Sequence, residues 1–220
     1  MNFRARKYMG YGVDELVYQN YFGPTENGFF IECGAGSGDS CRFWEEEFNW
    51  QGLYIEASPT MYEQIKDRRN AYNIGLGPKR QIAEFTDIVS APGGGVDNGS
   101  FCHTEEHIRI LEGYNCVFEK VPVQMLPYHE LLKIFKIPSV DLFVLDVEGY
   151  EIEVMKGMVG APLPSVMVIE YPIAGFDNVV EMATGLGLSF NFVSGNNAYF
   201  TSLPTIECDW WGKTGRVSDL

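Results

Sequence analysis

Compact apolar runs alternate with stretches of helical period along most of the chain. Phe29–Ile31, Leu53–Ile55, Val140–Val147 and Val166–Ile169 are short and apolar, the form of strands buried on both faces. Between the first two, Cys41, Trp44 and Phe48 fall at i, i+3 and i+7. That stripe predicts a core-facing helix with Glu45–Glu47 on its solvated side. Upstream, Val13–Phe22 groups Leu16, Val17, Asn20 and Tyr21 at helical spacing, as a helix covering the sheet or as a lid over a ligand. Ser58-Pro59 reads as an N-cap followed by proline at the first helical position, so Met61–Arg69 is expected to be a helix.

Asn73–Leu76 is a candidate third strand closed by Gly77-Pro78. Ile82–Val89 is a further strand or hairpin arm, Val117–Met125 a strand, His129–Phe135 a short helix and Glu151–Met158 another. Leu188–Val193 and Ala198–Thr201 bracket Ser194-Gly195-Asn196-Asn197, a hairpin signal. Strand–helix alternation ending in an antiparallel pair specifies an open α/β sheet. The expected organisation is one domain over 1–220: a loose arm at 1–12, a core at 13–203 and a tail at 204–220, with Trp210 and Trp211 packed onto the body.

The stretch Gly28–Ser58 carries the first chemistry. Gly34, Gly36 and Gly38 follow the first strand and let the backbone turn sharply beside a ligand. Asp39 or Ser40 is placed to cap the next helix. Glu56 ends the second strand twenty residues beyond Gly36, the spacing at which a βαβ unit offers a carboxylate to a ribose diol. The third glycine of a dinucleotide fingerprint is replaced by Asp39, a carboxylate where a pyrophosphate would lie. That disfavours NAD. Glu32 adds another acid. A turn flanked by acids fits S-adenosylmethionine, with sulfonium and ammonium near the turn and ribose at Glu56.

Composition narrows the partners. The chain has 220 residues, 45% hydrophobic, and a formal net charge of −14. Nucleic acid is repelled on average, and the one dense basic cluster, Arg4, Arg6 and Lys7, lies in the arm. Five cysteines without a C-x-x-C pair point to free thiols in a reducing compartment. No apolar run approaches the roughly eighteen residues of a spanning helix. The expectation is a soluble cytoplasmic protein.

Four acids, Glu32, Glu56, Asp146 and Glu170, stand at strand C-terminal ends, the edge where open α/β sheets bind ligands. Ala91–Ser100, with Pro92, three successive glycines and Asp97-Asn98-Gly99, is a long polar loop of the kind that carries function. Beyond it His103 and His107 lie one helical turn apart, a pair suited to binding metal, supplying a base, or sitting on a surface.

The stretches NGFFIECGAGSGDS, GLYIEASP, LDVEGYEIEVMKG and VMVIEY resemble the FkbM family of S-adenosylmethionine-dependent methyltransferases. The resemblance spans roughly Tyr11 to Phe200. It implies a Rossmann-like class I methyltransferase: an open, mostly parallel sheet with helices on both faces and a C-terminal antiparallel hairpin. It implies transfer of the sulfonium methyl to a hydroxyl of a sugar, glycan or small natural product. Glu32 and Gly34, Ala35, Gly36, Ser37 and Gly38 would surround the methionine end, with Ser40 beside them. Glu56 would hold the ribose, Ala57 and Leu76 would flank adenine, and Asp146 would sit beside the transferred methyl. A proton acceptor is then needed, from Asp146, His103 or His107, or a divalent ion such as Mg²⁺ held by Asp146 and Glu170. Tyr171 follows Glu170 where a fuller metal site would place a second acid or an amide. The competing readings are a non-catalytic methyltransferase-like binding module, whose mark would be loss of the turn or the distal acid, and an NAD-dependent oxidoreductase.

Overall fold

The computed structural model describes residues 12–202. The N-terminal arm up to residue 11, the tail from residue 203 and with it Trp210, Trp211 and Cys208 lie outside the described residues.

Among the described residues ten strands and seven α-helices follow in order. The main sheet takes β1 (Phe29–Cys33), β2 (Gln51–Ile55), β3 (Ala71–Tyr72), β7 (Leu142–Leu145), β8 (Val166–Glu170), β9 (Ser189–Ser194) and β10 (Asn197–Thr201). A second sheet takes β4 (Gly75–Leu76), β5 (Gln81–Ser90) and β6 (Val117–Leu126). The helices are α1 (Val13–Val17), α2 (Arg42–Phe48), α3 (Pro59–Ile65), α4 (Glu105–Gly113), α5 (Tyr128–Phe135), α6 (Glu151–Lys156) and α7 (Phe176–Leu186).

The main sheet runs β3-β2-β1-β7-β8-β10-β9. Its first five strands are parallel, and β10 runs antiparallel to both β8 and β9. This is the strand order of a class I methyltransferase, hairpin included. The central strands are apolar throughout because both faces are covered. Ile31, Ile55, Phe143, Leu145 and Met167 belong to the core beneath α5, α6 and α7. Their neighbours Phe30, Tyr54, Val144 and Val168 belong to the opposite core, with Val17 of α1, Trp44 of α2 and Ile65 of α3. Period-two alternation therefore feeds two cores rather than a core and solvent.

Several elements depart from the sequence pattern. The helix expected over Val13–Phe22 is α for one turn and becomes a π-helical turn at Tyr18–Phe22. Val13 and Val17 are buried against Trp44, so the segment covers the sheet rather than a ligand. The single strand expected at Asn73–Leu76 is split: Ala71–Tyr72 pairs with β2, and Gly75–Leu76 crosses to β6. β5 and β6 pair with each other over their length, outside the main sheet. The Ser58 hydroxyl does cap α3, accepting the Met61 N–H at 3.0 Å, but the helix ends at Ile65 rather than Arg69. The cap expected at Asp39 or Ser40 is absent: the N-cap residue of α2 is Cys41, which makes no side-chain cap bond. α7 has no counterpart in the sequence pattern.

Candidate active site

The residues after β1 set the site. Gly34 and Ala35 donate their N–H groups to the Ile55 carbonyl at 2.9 and 3.1 Å, drawing the turn against the end of β2. Gly34 has φ +76°, and a Cβ there would lie 1.5 Å from the Asp146 carbonyl oxygen. Glycine is required here because the turn touches the end of β7, not only for its dihedral freedom.

Two acids brace this turn. Glu32 accepts the N–H groups of Ser40 (3.2 Å) and Cys41 (2.9 Å), so the strand supplies the capping acceptors that α2 lacks. Glu56 accepts the Gly36 N–H on Oε2 and the Ser58 N–H on Oε1, both at 2.7 Å. Each Glu56 oxygen keeps a lone pair for a further donor. Both side chains are almost fully buried, at 3% and 6% exposure. Burial pushes each carboxyl up to about 7 against the lowering effect of the N–H bonds; for Glu56 the nearby Asp87 adds to the rise. The Asn73 amide donates to the carbonyls of Glu56 and Ala57, fixing the chain beyond the acid.

A cleft of about 400 Å³ opens above these elements. The glycine turn, Ser40, Glu56, Ala57 and Leu76 form one side. Phe85, Phe101 and Tyr150 form an aromatic wall, with Phe101 ring centroids 4.8 Å from Phe85 and 5.2 Å from Tyr150. The polar loop after β5 contributes Gly95, Val96, Asp97 and Gly99. It is tied across the cleft by Ser100, which bridges to Thr86 and donates its hydroxyl to the Glu148 carbonyl at 2.8 Å. Among the described residues, every charged side chain lining the cleft is acidic.

At the mouth, carboxylate oxygens of Asp146, Glu148 and Glu170 lie within 4.8 Å of one another. Asp146, one residue past β7, is open to the mouth, yet its carboxyl is held well above the carboxylate range by burial among the surrounding elements and by Glu170 and Glu148. Glu148 is pushed up to about 8 by burial and then by Glu170. Glu151 stands apart from this role: its Oε1 accepts the N–H groups of Val147 and Gly149, organising the turn into α6.

The structure thus brings Glu32, Gly34, Ala35, Gly36, Ser37, Ser40, Glu56, Ala57, Leu76 and Asp146 to one cleft, with Glu170 at its mouth; Gly38 is not on the lining and faces the Arg68 side chain. The histidines are not on its lining. His103 and His107 stack edge-to-face at 4.8 Å, and His103 Nε2 lies 2.7 Å from the Asn98 carbonyl oxygen, behind the loop. Burial lowers the pKa of both. Sequence reasoning missed Phe101 and Tyr150 as cleft walls and Glu148 as part of the acidic mouth; the D-V-E-G run was its only signal. One Tyr-x-x-x-Lys spacing of the kind dehydrogenases use, Tyr62 to Lys66, sits on α3, where Lys66 pairs with exposed Glu63. Neither residue lines the cleft.

Sheet order, glycine turn and distal acid together define an S-adenosylmethionine-dependent methyltransferase. The family model for the methyltransferase FkbM domain matches residues 32–183, more than half of the chain, and the chain belongs to that family. Among curated proteins none matches the sequence. Among solved structures the chain is similar to precorrin-6y C5,15-methyltransferase from Geobacter metallireducens GS-15, at 12% identity and TM-score 0.42, over 80% of this chain and 79% of that one. It is also similar to a SAM dependent methyltransferase from Aquifex aeolicus, at 10% identity and TM-score 0.40, over 90% and 100%. The family assignment rests on the sequence match. No helix among the described residues is long and apolar enough to cross a membrane.

Proposed function

We propose that the protein transfers the methyl group of S-adenosylmethionine to a hydroxyl oxygen of a sugar, a glycan or a small natural product, with Asp146 taking the hydroxyl proton. The observation that carries this reading is the place of Asp146: it lines the cleft at its mouth, with a carboxylate oxygen within 4.8 Å of those of Glu148 and Glu170. Burial and these two acids hold its pKa up, and no basic side chain is on the lining among the described residues. A carboxylate of raised pKa is a stronger base near neutral pH, which is what a weakly acidic hydroxyl needs.

The cleft fits the cofactor. S-adenosylmethionine supplies an electrophilic methyl on a sulfonium, together with an ammonium and a ribose diol. The spare lone pairs of Glu56 accept the two ribose hydroxyls. Ala57 and Leu76 flank the adenine. Gly34, Ala35, Gly36 and Ser37 wrap the methionine end with Ser40, and Glu32 holds their shape through the N–H groups of Ser40 and Cys41. A row of acids suits a cationic ligand and repels the pyrophosphate of NAD. The aromatic pair Phe101 and Tyr150 supports an acceptor with apolar faces, such as a sugar ring. His103 serves by holding the loop at Asn98, with His107 stacked against it. Four free cysteines among the described residues support work in a reducing compartment such as the cytoplasm.

A second reading has one specific observation behind it. The oxygens of Asp146, Glu148 and Glu170 are close enough to share a divalent cation, and hard carboxylate ligands suit Mg²⁺. A cation there would lower the pKa of the acceptor hydroxyl.

The test is S-adenosylhomocysteine release with a panel of sugars and hydroxylated small molecules, with Mg²⁺ or EDTA. The reading expects turnover with a hydroxyl acceptor, lost in Asp146→Asn. Turnover only with amine acceptors would overturn oxygen transfer, and cofactor binding with no acceptor turned over would favour a binding module. Full activity in EDTA would remove the metal.

A further inference from the structure

Asp87 lies on β5, in the second sheet, and outside the residues that the glycine turn and strand ends single out. It is 2% exposed and sits among apolar neighbours Phe85 and Ile88. A buried carboxylate there is costly unless its oxygens are filled. They are. Oδ1 accepts the Ser58 hydroxyl and Oδ2 accepts the Thr60 hydroxyl at 2.7 Å. The Ser58 hydroxyl in turn accepts the Met61 N–H, and the Ser58 N–H donates to Glu56 Oε1 at 2.7 Å. A continuous chain of hydrogen bonds therefore runs from β5 through Ser58 to Glu56 and on to Gly36 in the cofactor turn.

Each link is directional. With its hydroxyl oxygen committed to Met61 and its hydroxyl proton to Asp87, Ser58 is anchored from both sides, and that anchoring fixes where its backbone N–H meets Glu56. Among the described residues no cation pairs with Glu56; the backbone N–H groups of Gly36 and Ser58 hold its two oxygens, with the Ala57 N–H beside them. Its rotamer is set by where the turn after β2 puts Ser58.

We infer that Asp87 is a positioning residue for the cofactor: through Ser58 it aims the Glu56 carboxylate at the ribose diol, coupling the second sheet to cofactor affinity. The inference rests on Glu56 being the ribose acceptor. It assigns β5 a role in the cofactor half of the cleft, since its aromatic Phe85 lines the wall while Asp87, two residues on, holds Ser58 and Thr60.

The experiment is calorimetric titration of S-adenosylhomocysteine and of its 2′,3′-dideoxy counterpart into the full chain and its variants. Asp87→Asn is expected to weaken S-adenosylhomocysteine binding about tenfold and binding of the dideoxy ligand less than about twofold, since only the diol depends on Glu56. In the Glu56→Gln background, Asp87→Asn should add less than about twofold more. Ser58→Ala should behave as Asp87→Asn does, and Ser58→Thr, which keeps the hydroxyl, should restore near-native affinity. The serine pair carries the test if Asp87→Asn does not fold, as read by its melting temperature. Equal losses for both ligands, or additive losses with Glu56→Gln, would mean that Asp87 only supports the fold and would overturn the inference. Unchanged affinity in Glu56→Gln would instead overturn the ribose assignment itself.

Discussion

At the scale of single residues, two positions bear the most weight. Gly34 sits where the turn after β1 meets the carbonyl of Asp146, and no side chain fits. Gly34→Ala should displace the turn, the end of β7, or both. The positive φ alone costs roughly 1 kcal/mol, and relief of the contact adds to it. We expect a lowered melting temperature together with loss of S-adenosylmethionine binding; native affinity in a folded variant would contradict the close packing of turn and strand. Asp146 is the second position. Its carboxyl titrates above the ordinary carboxylate range of about 4, so turnover should fall on acidification while the pH is still well above that value. Asp146→Asn should remove about two orders of magnitude or more from kcat, the usual worth of a general base, with cofactor affinity changed only a few-fold. A pH–rate profile whose acid limb survives in the variant would assign that limb elsewhere.

The same residues show what a sequence yields unaided. Glu32, Glu56 and Asp146 were legible because each ends a strong apolar strand, and strand ends in an open α/β sheet face the ligand. The partners of those acids were not legible. Glu32 replaces a helix cap eight and nine residues away. Asp87 reaches Ser58 across 29 residues of chain. Contacts of this kind depend on how two sheets come together, which local period does not encode.

At the scale of elements, the central strands were plain and the second sheet was not. β4 has two residues, and its assignment to β6 rather than to the main sheet turns on pairing 50 residues away. α7 was missed for a local reason: FDNVVEMATGL mixes β-branched residues, an internal glycine and small polar groups, all weak helix formers. It forms because Val179 and Ala183, one turn apart, bury against the sheet. The strap after β5 is the element most exposed to test. It is fastened by the buried Ser100 hydroxyl on the Glu148 carbonyl. Ser100→Ala removes that bond and should destabilise the protein by about 1–2 kcal/mol. It should also raise amide hydrogen exchange across 95–102 while exchange in β1 and β7 stays as it was. Unchanged exchange across 95–102 would mean that the backbone bridge to Thr86 and the aromatic contacts hold the strap without that hydroxyl.

At the scale of the whole molecule, the dominant fact is an excess of buried and clustered acid in a chain of formal charge −14. Glu32 and Glu56 are pushed up to about 7 and Glu148 to about 8. Between the unfolded carboxylate value near 4.3 and these values, the folded protein binds more protons than the unfolded chain, so stability falls as pH rises through that window. The unliganded protein should therefore melt at a higher temperature near pH 5 than near pH 8, each kcal/mol being worth about 2–4 °C in a chain of this size. A thermal scan across that range reads the difference directly, and a melting temperature that climbs with pH would contradict it. A cationic ligand should reverse part of the trend, stabilising most where the acids are ionised.

The central claim is that this cleft holds S-adenosylmethionine through its glycine turn and Glu56. Isothermal titration of S-adenosylmethionine and of NAD into the native protein and into Glu56→Ala tests it most directly. The account predicts micromolar binding of S-adenosylmethionine, none of NAD, and a loss of about 10–100-fold in the variant, the worth of hydrogen bonds to a charged acceptor. Folded native protein that takes up no S-adenosylmethionine, or a Glu56→Ala variant that binds it as well as the native protein does, would contradict the account.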